Sequence, residues 1–151
     1  MKNHKSGIRF VEIAILLLFG LTTIVSGGCN CNQPFIKGVE VWIDSDGGDM
    51  FDEQIAPSSG PTYVIPKNAS FRIKIKTEEA LSDSDLNSSS VIIRSNPPIN
   101  RPVEYLENLV YKADFLSAQI SSLASGQSYE TTIHIYHNGQ NLYQTITIKI
   151  E

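Results

Sequence analysis

The feature that most constrains this chain is a doubled alternation around one dipeptide. From Tyr129 to His137 and from Asn141 to Glu151, apolar and polar residues take turns. Ile133 and Ile135 share one face of the first run, and Ile146, Ile148 and Ile150 share one face of the second. A strand sends successive side chains to opposite faces, so period two marks a half-buried strand. Between the runs stands His137-Asn138-Gly139-Gln140. Asn-Gly favours the positive φ angles of a type I′ turn, whose twist suits two antiparallel strands. The stretch therefore predicts a C-terminal β-hairpin.

Other segments follow the same period. Val39, Val41 and Ile43 alternate with Glu40, Trp42 and Asp44. Over Ala69 to Thr77, Phe71, Ile73 and Ile75 face one way and Arg72, Lys74 and Lys76 the other. Val91-Ile92-Ile93 is a short apolar run consistent with a buried strand. Residues 49–66 carry Pro57, Gly60, Pro61 and Pro66 and read as a long loop with at most a short strand at Thr62–Ile65. Residues 78–90 are polar and serine-rich and read as a second loop. Residues 95–102 hold three prolines, which lack the N–H donor a central ladder needs. Residues 105–120 fit two patterns: Leu106, Leu109, Ala113, Leu116 and Ile120 have helical spacing, whereas Leu116, Ala118 and Ile120 alternate. The favoured reading is a strand through Val110–Ile120, with a helix as its rival.

Leu123-Ala124-Ser125-Gly126-Gln127-Ser128-Tyr129 resembles a corner of fibronectin type III and related immunoglobulin-like sandwiches. Leu123 matches the core plug, Gly126 the turn and Tyr129 the opening of the penultimate strand; Ser125 stands where proline is common. The resemblance spans residues 123 to about 150 and implies that the Tyr129 hydroxyl bonds back to nearby backbone. With several separated strands and no dinucleotide or phosphate loop, the expected fold is all-β, an immunoglobulin-like antiparallel β-sandwich. Such a likeness speaks to fold and is silent on function.

The N-terminus has a different grammar. Lys2, Lys5 and Arg9 precede an apolar run from Ile13 to Val25, the pattern of an export signal. The run falls short of the roughly 20 apolar residues needed to span a bilayer core. Ser26-Gly27-Gly28-Cys29 follows and resembles the lipobox of bacterial lipoproteins, in the loose form of Bacteroidota. Gly27 and Gly28 match the small residues before the invariant cysteine; Ser26 departs from the usual aliphatic. The resemblance implies that the leader, residues 1–28, is cut off and Cys29 is lipidated. Residues 29–34 would be a lipidated tether and residues 35–151 the sandwich domain. One acyl chain holds a protein only marginally, and several hold it stably. Ordinary cleavage near Gly28, giving a soluble product, is the competing reading.

Of the 151 residues, 123 remain after a 28-residue leader, enough for a working core. The leader removes three basic residues and Glu12, which leaves 9 basic against 15 acidic, a net charge of −6. That balance argues against nucleic acid, which needs a basic stripe, and gives no polybasic attraction to anionic lipid. Cys29 and Cys31 are the two cysteines. With Cys29 acylated, Cys31 is an unpaired tether residue, and no disulfide cross-links the domain.

Motifs with chemistry are weak. Asp44, Asp46 and Asp49, with Asp52 and Glu53 beyond, form the densest acidic cluster, a candidate for calcium. Counted from Asp44, the EF-hand glycine and glutamate positions hold Asp49 and Ile55, so a solvated turn is the favoured reading. His134 and His137, three apart on a strand, should face opposite ways and cannot chelate one metal; isolated histidines on a solvent face are expected. No serine sits in a G-x-S-x-G elbow. Trp42 between Glu40 and Asp44 could be a stacking platform for sugar. The favoured alternative pairs its strand with the Arg72-Lys74-Lys76 strand, so that opposite charges meet across the ladder. Asn68 and Asn87 fit glycosylation sequons, which carry no weight in a bacterial lipoprotein.

The resulting expectation is a lipid-anchored module of the cell envelope, at the outer membrane on its periplasmic or outer face. It would be non-enzymatic and free of cofactors, binding a protein or glycan or taking part in assembly. Calcium-dependent adhesion through residues 44–53, and a hydrolase site assembled in space around His134 or His137, are the alternatives.

Overall fold

The alternating segments form ten strands in two five-stranded sheets within residues 35–48 and 50–151, the part of the chain that the computed structural model describes. The leader, Cys29, Cys31, the tether and Asp49 lie outside the described residues. One sheet has the order β2-β1-β4-β8-β7, with β1 Ile36–Ile43, β2 Glu53–Ile55, β4 Phe71–Thr77, β7 Glu104–Glu107 and β8 Val110–Phe115. The other has the order β3-β10-β9-β5-β6, with β3 Thr62–Ile65, β5 Ser90–Ile93, β6 Ile99–Pro102, β9 Ser128–His137 and β10 Gln140–Ile150. Two short helices, α1 Asp83–Asn87 and α2 Ser117–Ile120, sit in the connections.

The inward face of each strand is the one the alternation marks. Val41, Phe71, Ile73, Ile75 and Phe115 from the first sheet meet Val91, Ile133, Ile135, Ile146 and Ile148 from the second in one buried cluster. Phe71 and Phe115 stack at 4.8 Å between centroids. Each fully buried aliphatic or aromatic side chain contributes roughly 1.5–3 kcal/mol. A register shift between Ile36 and Gly38 turns Ile36 into the same core as odd-numbered Val41 and Ile43. The hairpin is register-true, from Gln140 opposite His137 to Lys149 opposite Ser128. Asn138 and Gly139 both have positive φ, 48° and 82°, as a type I′ turn requires.

The corner before β9 also closes as its residues imply. Leu123 is buried, Gly126 takes a φ of 80°, and the Ala124 N–H donates to the Tyr129 hydroxyl at 2.7 Å.

Five expectations are corrected. The Val110–Ile120 segment is a strand only to Phe115; Ser117–Ile120 is helical, because Ile120 and Leu123 reach the core from a turn whose start is tied by the Leu116 N–H to Gln119 Oε1 at 3.2 Å. The loop 78–90 contains α1, started by a capping box in which Ser82 and Asp85 exchange hydrogen bonds, each at 3.2 Å. The loop 49–66 holds β2 as well as β3, and β3 runs parallel to β10, so the second sheet is mixed and not purely antiparallel. His137 is not on an open face, because α1 and Phe35 close over the end of β9; its side chain is 13% exposed. The proline-rich segment does supply β6, but at a sheet edge, and of its three prolines only Pro102 lies within the strand.

Candidate functional site

The two outer faces of the domain differ in chemistry. On the first sheet, pairing β1 with β4 sets Glu40 opposite Lys74 and Trp42 opposite Arg72. The Lys74 ammonium lies 3.7 Å from the Trp42 ring centroid, and the indole N–H donates to Glu40 at 2.9 Å. One face of the candidate platform is thus occupied by a lysine. Further along, Arg72 grips Asp114 with two hydrogen bonds of 2.6 and 2.8 Å, and Lys112 adds a third at 2.9 Å. Lys112 also reaches Glu104 at 3.4 Å. Burial pushes the Asp114 carboxyl up, but Arg72 and Lys112 outweigh it and hold the group below the usual carboxylate value. The guanidinium of Arg101, from the second sheet, donates to the Asp114 carbonyl at 2.8 Å and ties the sheets together. This face is a charge ladder that stabilises strand pairing.

The acidic turn beside it folds on itself. Asp44 accepts from the Gly47 and Gly48 N–H groups at 2.8 and 3.2 Å, and Asp46 accepts from Gly48 at 2.9 Å. Asp52 accepts from the Ser45 N–H and hydroxyl, which hold its carboxyl below the ordinary value. Backbone donors thus engage one oxygen of Asp44 and one of Asp46, as such turns do. Among the described residues no three His, Cys, Asp or Glu side chains cluster as a metal site.

The histidines separate as their parity requires. His137 stacks on Phe35 at 4.5 Å, with Nδ1 3.4 Å from Asp85 and Nε2 3.3 Å from Glu79 and 2.9 Å from the Asn138 amide. Hydrogen bonding from the Ser82 hydroxyl, and then from its N–H, keeps the Asp85 carboxyl low against burial, and His137 assists. This cluster knits α1 to the end of β9. His134 faces outward on the second sheet, where its Nε2–H donates to Asn141 Oδ1 at 2.8 Å and its ring stacks on Tyr143 at 4.9 Å.

Tyr143 is the residue the sequence reading passed over. It stands directly opposite His134 in the hairpin and is 65% exposed. The signal was present: an Asn138-Gly139 turn fixes every pair across the hairpin, including this one. Tyr143 forms part of the wall of a groove of about 450 Å³ that also involves Ile92, Arg94, Thr132 and His134. It also borders a second open groove of about 520 Å³ beside Phe35, Lys37, Leu142 and Gln144. The register rows across this face read Asn100-Ile92-Thr132-Thr145 and Pro102-Ser90-His134-Tyr143, with no lysine or carboxylate among them. Arg94, at the margin, is paired with Glu130 at 2.8 Å and reaches the Thr132 hydroxyl at 3.3 Å. The arrangement sets ring faces, hydroxyls and amides side by side on paired strands. Searches for similarity found that no protein-family model matches this chain and that no curated protein matches it.

Proposed function

We propose that this chain is an exported, lipid-anchored, non-enzymatic binding or assembly module of the cell envelope, built on an immunoglobulin-like sandwich. The observation that carries the binding role is the contrast between faces: one sheet sets most of its outer side chains in a charge ladder, with a groove of about 240 Å³ lined by Glu40, Lys74 and Lys76, while the other presents Tyr143 and His134 beside two larger open grooves. The Tyr129 corner bond supports the immunoglobulin-like type. The basic leader, its short apolar run and Cys29 support export and anchoring at the outer membrane. A hydrolase would have to run through His137 and Asp85. The engagement of His137 Nε2 by Asn138 and Glu79 supports a structural role for that pair instead.

Palmitate labelling of the wild type and of Cys29→Ala tests the anchor, with the mass of the mature N-terminal residue as its complement. The expected result is label on the wild type alone and a diacylated or triacylated Cys29. Equal labelling of both, or an unmodified thiol, removes the anchor from the account.

A further inference from the structure

The outer face of the hairpin sheet has a composition that selects its ligand. Its central rows hold Tyr143, His134, Thr132, Thr145, Ser90 and Ile92, without a carboxylate or an ammonium. Two cations border the grooves, Arg94 beside one and Lys37 beside the other, and each is paired with a carboxylate, Glu130 at 2.8 Å and Glu78 at 3.3 Å. A charged ligand would lose hydration here and meet only cations that carboxylates of the domain already engage. A wholly apolar ligand would strand the hydroxyls and the Asn141 amide. A ligand with flat C–H faces and a rim of hydroxyls meets both demands.

The geometry adds direction. The Tyr143 ring is held from one side by His134, which is itself fixed by Asn141 at 2.8 Å, so the platform is set before a ligand arrives. Tyr143 borders two grooves, of about 450 and 520 Å³, so an extended ligand can cross it with one unit stacked on the ring and its neighbours seated in the grooves. Between β10, β9 and β5 the backbone is committed to the sheet, whereas the far edge of β10 meets β3 only from Thr147 to Ile150, so beside Tyr143 backbone as well as side chains can make contacts.

We infer that the face around Tyr143 binds a neutral oligosaccharide, one sugar ring stacking on Tyr143 and its hydroxyls bonding to Asn141, Thr132 and the margin at Arg94. This rests on the proposed binding role and deepens it by naming the ligand class. It places the sugar platform on the opposite sheet from Trp42, whose ring is held by Lys74.

The test is calorimetric titration of the full chain in detergent with hexaoses of glucose in α-1,4, β-1,4 and β-1,3 linkage, of xylose and of N-acetylglucosamine. The expected result is saturable binding of at least one. Tyr143→Ala should weaken it about tenfold, the value of one lost stacking contact, while Tyr143→Phe and Trp42→Ala leave it within about twofold. Tyr143 is exposed, so its truncation leaves the core intact, and an unchanged melting temperature verifies this. No binding of any hexaose up to about 10 mM overturns the inference, as does an unaltered affinity in Tyr143→Ala. Preference for polygalacturonate over the neutral sugars, or for an extended peptide, overturns it too. If the sugars fail while a crosslinker at Tyr143 still captures an envelope protein, the glycan inference falls and the binding role stands. If they bind while Cys29 is unmodified, the anchor falls and the inference stands.

Discussion

Replacing Asp114 with asparagine removes one negative charge from the middle of the charge ladder while keeping the side chain's shape. Asp114 sits on β8 opposite Arg72 of β4, and both side chains are about one-fifth exposed, at 20% and 19%. The wild-type carboxylate takes two bonds from Arg72 and one from Lys112. The amide accepts through a single oxygen and leaves Arg72 and Lys112 as neighbouring like charges. A hydrogen bond to a charged group contributes about 1.5–3 kcal/mol net, and an exposed ion pair about 0–1. With partial exposure and one bond retained, the expected loss is about 2 kcal/mol at neutral pH. For a domain of this size that is a fall of roughly 8 °C in melting temperature.

The effect should depend on pH in a stated direction. Because the folded carboxyl is held below its ordinary value of 3.8, its contribution is complete well above that value. It is lost as pH falls through the folded value. Urea melts of the wild type and Asp114→Asn should therefore differ by about 2 kcal/mol at neutral pH and converge as the pH falls through and below the ordinary carboxyl value. A difference under about 0.5 kcal/mol at neutral pH, or one that persists undiminished in acid, refutes the reasoning.

Two further outcomes follow from the same geometry. Tyr129→Phe deletes the acceptor for the Ala124 N–H and should cost about 1 kcal/mol, or roughly 4 °C, by thermal melting; an unchanged melt would mean the corner bond contributes nothing. Added calcium or chelator should leave the melting temperature unmoved, since Asp44 and Asp46 are engaged by the turn's own N–H groups; a rise with calcium would identify a site there.

Much of the fold is legible in the residues because period-two alternation and burial coincide: Val41, Ile73, Ile133 and Ile148 are all buried where the pattern puts them. The hairpin register is legible from two residues, Asn138 and Gly139. What escapes the pattern is set by partners distant in sequence. The parallel pairing of β3 with β10 depends on how residues 44–61 cross the domain, which no local period encodes. The end of β8 was ambiguous because Ile120 and Leu123 are buried in either conformation. The helix α1 is five residues long, too short for a periodic signal, although Ser82 and Asp85 carry the spacing of a capping box. The pairing of the Trp42 strand with the Arg72-Lys74-Lys76 strand is legible in their complementary charges and is found, with Glu40 opposite Lys74; the seat of the Lys74 ammonium over the Trp42 ring is a detail of register that the pattern does not encode. Tyr143 and His134 carry no signal singly; their meaning lies in facing one another in central rows that hold no carboxylate or ammonium.

The central claim is that the molecule meets its partner through the hairpin sheet and not through the charge ladder. A photo-crosslinking phenylalanine placed at Tyr143 or at Trp42 of the full chain, in its native envelope, tests this directly. The account predicts mass-shifted adducts from position 143 and none from position 42. Adducts from 42 alone, or equally from both, would contradict it.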